Sequence, residues 1–339
     1  MPEPPMIRRR HLVAAGALLP LAARGQGSAQ GSTQGSIQGR GQPARPMPAP
    51  GRRDWAAQVP QLRLGVLGGE SESDRLGRYD AYRKLFEDTF GIPTRMFFAS
   101  DYSGVQQAFA AKQLEIANMS PAAYAGVWLD TNGGVEPILV TQEPDGSTSY
   151  VALMYVRADS GITRLEEMRG KAMAWSDPNS ASGYLIPRAE LRAAGIAPET
   201  FFGRTGFAGG HDQALVAVLQ KQYDAGVCWS SGQGDESKGY SRGVLTAAVE
   251  KGLLNMRDIR IIWRSRPIQN GPVVVRADLP ASFKQDMVDF HLALPAAHPE
   301  IHKAVERGSA IGWVPTKHED YAVFVDMRRA EAVERRRRN

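Results

Sequence analysis

From Gln61 onward, short apolar runs alternate with stretches of helical period. "LRLGVLG" (62–68) reads as a strand, and "YDAYRKLFEDTF" (79–90) repeats large apolar residues every three or four positions, as an amphipathic helix does. "TRMFFAS" is then a strand, "YSGVQQAFAAKQ" a helix, "LEIANMS" a strand, and "PAAYAGVWLD" a helix with proline in its first turn. "EPILVTQ" and "SYVALMYVRA" follow as strands, "ITRLEEMRG" as a helix and "KAMAWS" as a strand. Two helices ("SGYLIPRAELRAAG", "GHDQALVAVLQKQ"), a strand ("YDAGVCWS"), a helix ("VLTAAVEKGLL") and two strands ("IRIIWRS", "GPVVVRADL") come next, and three helical segments complete the chain. Strands alternating with helices predict an α/β protein with mostly parallel sheets. Roughly 285 residues of this kind suit two lobes better than one sheet.

In such sheets ligands sit beyond the carboxyl ends of the strands. Those ends read "GGESES" with Glu70 and Ser71, "SDYSG" with Tyr102, "MSPAAY" with Ser120, "SDPNSASGY" with Ser180, Ala181, Ser182 and Gly183, and "SSGQG" directly after Trp229. Each tip carries hydroxyls, glycine or an aromatic ring and leads into a helix or turn. Helix N-termini present unpaired N–H groups and a partial positive charge. Several such tips in one cleft make a site for a small oxyanion, built largely from neutral donors. Any one of them alone is equally an ordinary N-cap.

Charge narrows the partners. The chain carries +5, but residues 1–53 hold eight arginines against Glu3, a net of +7, so the remainder sums to 5 − 7 = −2. That body lacks the basic face a nucleic-acid partner requires. The run Arg335–Arg338 reads as a solvated helix end, favoured there by the helix dipole. A single cysteine, Cys228, excludes an internal disulfide and a cysteine-based metal site, and within "DAGVCWSS" it reads as a small buried hydrophobe. No "GxxxxGK[ST]", "HExxH" or "GxSxG" occurs, and the spacing of His211–Asp212 from the serines at 180 and 182 does not support a hydrolase. Neither catalytic residues, a metal nor a cofactor is expected.

Arg8, Arg9 and Arg10 precede the apolar stretch from Leu12 to Ala23, which is too short to span a bilayer. Residues 1–29 therefore read as an export signal of the twin-arginine kind, with cleavage near Ala23 or Ala29 and no stable membrane insertion afterwards. No cysteine follows to take a lipid anchor. The repeated Gly-Ser-x-Gln units and prolines of residues 30–54 have almost nothing to bury and are expected to form a disordered linker.

Four segments in this order, "FFASDYSGVQQAF" (97–109), "DPNSASGYLIP" (177–187), "AGGHDQALVAVLQKQYDAGV" (208–227) and "AIGWVPTKHEDY" (310–321), resemble the periplasmic phosphonate-binding proteins of ABC importers. The resemblance runs from about residue 61 to about 325. It implies a type II periplasmic-binding-protein-like fold of two α/β lobes on a two-stranded hinge. The lobes are expected at 55–152 plus 268–339 and at 153–267, with chain crossings near Tyr150–Arg157 and Ile261–Val275. It also implies an exported, periplasmic protein that holds a phosphonate, phosphite or similar phosphorus oxyanion and delivers it to permease subunits. The implied contacts are Ser180, Ser182 and the amides from Ala181 to Gly183, with Tyr102, Ser120, Tyr150, His211, Glu70 and Ser71 at the cleft. Two departures stand out. Ala181 occupies the middle of a Ser-Thr-Ser pattern, so one hydroxyl is lost. The acidic residues that hold an ammonium in aminophosphonate-binding relatives are missing from "CWSSGQG" and "RPIQNGP", leaving Trp229, Ser230 or Asn270 at that end. A compact alkylphosphonate, phosphite or other small oxyanion is therefore expected in preference to 2-aminoethylphosphonate. Two other readings keep the same cleft: a sensor module presenting its ligand to a signalling receptor, and an enzyme on the same fold.

Overall fold

A computed structural model describes residues 45–68 and 72–338. The expected export signal and most of the expected linker lie outside them. Twelve strands are present among the described residues: β1 (Leu62–Val66), β2 (Thr94–Phe98), β3 (Ile116–Asn118), β4 (Val135–Gln142), β5 (Ser149–Arg157), β6 (Ala172–Trp175), β7 (Arg204–Phe207), β8 (Ala225–Ser230), β9 (Ile259–Arg264), β10 (Ile268–Gln269), β11 (Pro272–Arg276) and β12 (Gly312–Pro315). The helices are α1 (Glu72–Phe90), α2 (Tyr102–Ala110), α3 (Pro121–Asp130), α4 (Ile186–Ala193), α5 (Pro198–Phe201), α6 (His211–Leu219), α7 (Val244–Glu250), α8 (Ala281–Ala297), α9 (Pro299–Glu306) and α10 (Ala322–Arg338). None of the described helices is long and apolar enough to cross a membrane.

The strands form two sheets, one ordered β12-β4-β11-β3-β1-β2 and the other β10-β5-β8-β6-β7, with β9 also on β5. Both are mixed, which corrects the expectation of mostly parallel sheets. Only β1–β2, β1–β3, β6–β7 and β6–β8 pair in parallel, and the other strand pairs run antiparallel. Hydrophobic runs mark strands but not their direction, and every antiparallel pair joins strands separated in sequence by several other elements. The segment 162–170, expected as a helix, holds only a tight turn at Leu165–Met168. Strands β7, β10 and β12 had no expectation at all.

The chain leaves the first sheet after Gln142, enters the second at Ser149, and returns between Gln269 and Pro272. The expected division at 152/153 falls inside β5, and the one at 267/268 falls just before β10. Tyr150 and Ser149 are already paired with Ile268 and Gln269 in the second sheet.

Strand β5 is buried from Tyr150 to Val156, as expected of a strand covered on both faces. Under the first sheet, α1 supplies Tyr79, Tyr82, Phe86 and Phe90, spaced three and four apart on one face. They pack against Phe283, Met287, Phe290 and Leu294 of α8, with Phe86 and Phe290 stacked at 4.0 Å. The described end of the linker lies on this body: Arg45 pairs with Asp289 at 3.2 Å, Arg53 with Asp286 at 3.3 Å, and Met47 packs against the core. Helix α10 packs on α3. Its Arg328 is mostly covered and donates to the carbonyls of Ala122 and Pro178 and to Asn179 Oδ1.

Candidate functional site

Between the carboxyl ends of the two sheets lies a cavity of about 200 Å³. Four helix starts meet there, and each is shaped by local sequence. Asp101 caps α2 by accepting the N–H of Gly104 at 2.9 Å, which sets Tyr102 at the first helical position. Ser120 caps α3 in the same way at 3.1 Å, followed by Pro121, whose missing N–H costs nothing in a first turn. Ser180 caps a wide π-type turn, Ala181–Leu185, that runs into α4, and its Oγ accepts the N–H of Gly183 at 3.0 Å. His211 opens α6.

Of the residues singled out from the sequence, Tyr102, Ser120, Tyr150, Ser180, Ser182, His211 and Trp229 line this one cavity. Ala181 and Gly183 are buried behind its wall, and the Gly183 N–H is already given to Ser180. The Gly183 amide is thus spent within the turn, while Ser180 and Ser182 line the cavity. Glu70 and Ser71 lie outside the described residues. Gly183 is required by close approach: a Cβ there would stand 2.6 Å from Ser176 Cβ and 2.9 Å from Ser180 Oγ.

His211 is held on both ring edges, with Nδ1 2.8 Å from Ser176 Oγ and Nε2 3.1 Å from Ser180 Oγ. Burial pushes the Tyr150 phenol up to about 12, although Ser182 and the Arg242 charge pull it down, so it stays a neutral donor. Burial also raises the Asp177 carboxyl, against the backbone N–H groups that favour its ionised form. The turn that carries Asn179 is tied to the first sheet's helices: Ser120 Oγ donates to the Asn179 carbonyl at 3.1 Å, and Asn179 Nδ2 donates to Ser103 Oγ at 3.0 Å.

The other end of the cavity differs from the sequence expectation of neutral donors and no carboxylate. Arg242, Arg78 and Arg307 line it, together with Glu306 from the end of α9. Arg242 is ion-paired with Glu143, which is fully buried, and with Glu306 at 3.4 Å. Its guanidinium covers the ring of Trp229 at 5.1 Å. Glu306 also accepts from Thr141 Oγ1 at 2.9 Å, and burial raises its carboxyl although Arg242 opposes this. Asn270, in the return crossing, donates to Glu143 Oε1 at 3.1 Å and to the Thr141 carbonyl at 3.0 Å. Carboxylates are thus present, but committed to a guanidinium and to hydrogen bonds. Sequence reasoning missed them because Arg242, Glu143 and Glu306 lie 99 and 64 positions apart in pairs and share no local motif. Arg307 meets Asp212 at 3.8 Å. Cys228 is buried in the strand behind the site, where burial raises its thiol, as expected of a structural cysteine. Among the described residues no cluster of His, Cys, Asp or Glu is arranged to hold a metal ion.

Two mixed sheets enclosing a polar cavity at their strand ends define a periplasmic-binding-protein fold. Residues 64–321 match the family described as "ABC transporter, phosphonate, periplasmic substrate-binding protein", and the chain belongs to that family of binding proteins. It is 28% identical over 262 residues to the phosphonates-binding periplasmic protein of Escherichia coli (strain K12), covering 76% of this chain and 72% of the relative. Two solved structures share the fold. A binding protein component of an ABC phosphonate transporter from Pseudomonas aeruginosa aligns with a TM-score of 0.66 and 24% identity, over 79% of this chain and 85% of that one. PhnD1 from Prochlorococcus marinus in complex with methylphosphonate aligns with a TM-score of 0.68 and 15% identity, over 80% and 98%.

Proposed function

We propose that this protein is exported through its twin-arginine-like leader, captures a small phosphorus oxyanion in the periplasm, and presents it to the permease of an ABC importer. One observation carries the reading: Tyr102, Ser120, Tyr150, Ser180, Ser182 and His211, from both sheets, meet around one cavity. Hydroxyls, a phenol and an imidazole at helix starts offer a dianion hydrogen bonds and positive potential together. The volume of about 200 Å³ suits a phosphonate with a short substituent. It lies below the roughly 300–1,000 Å³ typical of drug-sized ligands. The substituent would meet Trp229, Arg242 and Asn270. Among the described residues, Glu143 and Glu306 are both engaged by Arg242 and neither is left uncommitted for an ammonium, which favours phosphite or methylphosphonate over 2-aminoethylphosphonate.

Binding works by closure about the segments 143–148 and 270–271. A ligand touching residues of both lobes favours the closed state in proportion to its extra contacts there. Native mass spectrometry of protein purified from the periplasm tests the reading. A carried ligand with the mass of a phosphonate, phosphite or phosphate is expected, and a carried sulfonate or amino acid would contradict it.

A further inference from the structure

The neighbours of His211 assign its proton. Ser176, the first residue after β6, is fully buried and does not line the cavity. Its Oγ lies 2.8 Å from the Val227 carbonyl and 2.8 Å from His211 Nδ1. A hydroxyl has one hydrogen, and a carbonyl only accepts. Both contacts are hydrogen bonds at once only if Ser176 donates to Val227 and Nδ1–H donates to Ser176. In a neutral ring Nε2 is then an acceptor, and it takes the hydroxyl hydrogen of Ser180, 3.1 Å away. Ser180 Oγ already accepts from the Gly183 amide. In this state the Ser180 hydroxyl points its hydrogen at the imidazole and not into the cavity. A proton on Nε2 reverses that bond. The ring then becomes a donor, and the Ser180 hydrogen is released toward an incoming oxygen.

We propose that Ser176 is a positioning residue that holds His211 as the Nδ1–H tautomer, so that the oxyanion binds together with a proton captured on Nε2. The proposal rests on the oxyanion reading of the cavity. One proton leaves solvent, an Nε2–H bond forms, the Ser180–ring hydrogen bond reverses so that the ring donates, and no bond to phosphorus is made or broken.

Charged groups of both signs surround the ring. On its own helix His211 adjoins Asp212, which is paired with Arg307. The turn after β6 contributes Asp177. Across the cavity stand Arg78, Tyr102, Tyr150, Glu306 and Arg242, the last held by Glu143. Behind it, β8 and β5 supply Cys228 and Tyr155, both raised by burial out of the titrating range, and α7 ends near Glu250 and Lys251, the latter paired with Asp74. An arriving anion supplies the charge opposite to an imidazolium and so favours the proton on Nε2.

Calorimetry with methylphosphonate, in buffers of different ionisation enthalpy and above the ligand's second ionisation, reads the protons taken up. The wild type is expected to take up a large fraction of about one proton, with affinity falling up to roughly tenfold per pH unit on going alkaline. Ser176→Ala lets the neutral ring adopt the Nε2–H tautomer, so it is expected to bind severalfold more weakly with little uptake and a flat pH profile. Nitrogen NMR of the imidazole is expected to show Nδ1 protonated in the empty wild type and both nitrogens protonated in the complex. Wild-type binding without uptake, uptake unchanged in Ser176→Ala, or a neutral Nε2–H ring in the empty protein overturns the proposal and leaves the oxyanion reading standing. Failure of methylphosphonate, phosphite and phosphate all to bind overturns both.

Discussion

Arg242 lies over the ring of Trp229 while its guanidinium is ion-paired with Glu143. One cation therefore shapes the distal end of the cavity and neutralises a carboxylate with no exposure to solvent. Arg242→Met leaves Glu143 buried and unpaired, a change that costs about 3–5 kcal/mol when one partner of a buried pair is removed. The double change with Glu143→Gln is expected to recover much of that loss. Urea unfolding of the two variants checks it, and equal destabilisation in both would contradict the pairing argument.

Gly183 has no room for a side chain. Gly183→Ala is expected to push the Ser180 turn away from Ser176, because the new Cβ would stand 2.6 Å from that side chain. Overpacking of this kind costs about 1–3 kcal/mol. Since the shifted turn carries Ser180 and Ser182, ligand affinity should fall along with the melting temperature. A variant that melts lower but binds unchanged would separate the turn from the site.

Two buried histidines make the fold acid-sensitive. Burial holds His291 and His302 down to about 4. Their unfolded values lie near 6.5, so between those limits the unfolded chain binds more protons and stability rises with pH. The contribution is fully present above about 6.5 and drains away as pH falls toward about 4, on the order of 3 kcal/mol for each ring. Unfolding free energies measured across that window should show the slope, and His302→Gln should remove part of it.

At the C-terminal helix the sign is the same but the group is a carboxylate. Glu334 accepts from Arg192 at 2.7 Å and from Arg188 at 3.0 Å, which lowers it to about 2. Its contribution is present above about 4.3, the unfolded value, and lost as pH falls toward about 2. Partly exposed pairs are worth only about 0–1 kcal/mol. Glu334→Gln should therefore change global stability little at neutral pH. It should speed ligand release, because the pair ties α10, which packs on α3, to α4 beside the Ser180 turn. Stopped-flow dissociation reads this, and an unchanged rate would count against the clasp.

Local signals were the legible part of the sequence. Helix α3 begins and ends where "PAAYAGVWLD" does, because Ser120 and Pro121 mark its start within a few residues. The strand-end tips were legible for the same reason: caps and turns are written in consecutive residues. What failed was whatever depends on distant partners. Strand β12 exists because Trp313 pairs with Thr141 across the edge of the first sheet, and β10 is two residues held by β5. Neither has enough periodicity of its own. Arg242 is reached from a Gly/Ser-rich loop, and only the fold brings it to Glu143 and Glu306. Ser176 read as the end of a strand, and its meaning came from His211, 35 positions later.

The central claim is a compact phosphorus oxyanion held by the serine, tyrosine and histidine tips, with no ammonium pocket beside it. Calorimetry with phosphate, phosphite, methylphosphonate and 2-aminoethylphosphonate tests it most directly. Phosphite or methylphosphonate should bind tightest, and the amino compound more weakly than either. Tightest binding by 2-aminoethylphosphonate would contradict the account, because it would require Glu143 or Glu306 to leave Arg242 for the ligand.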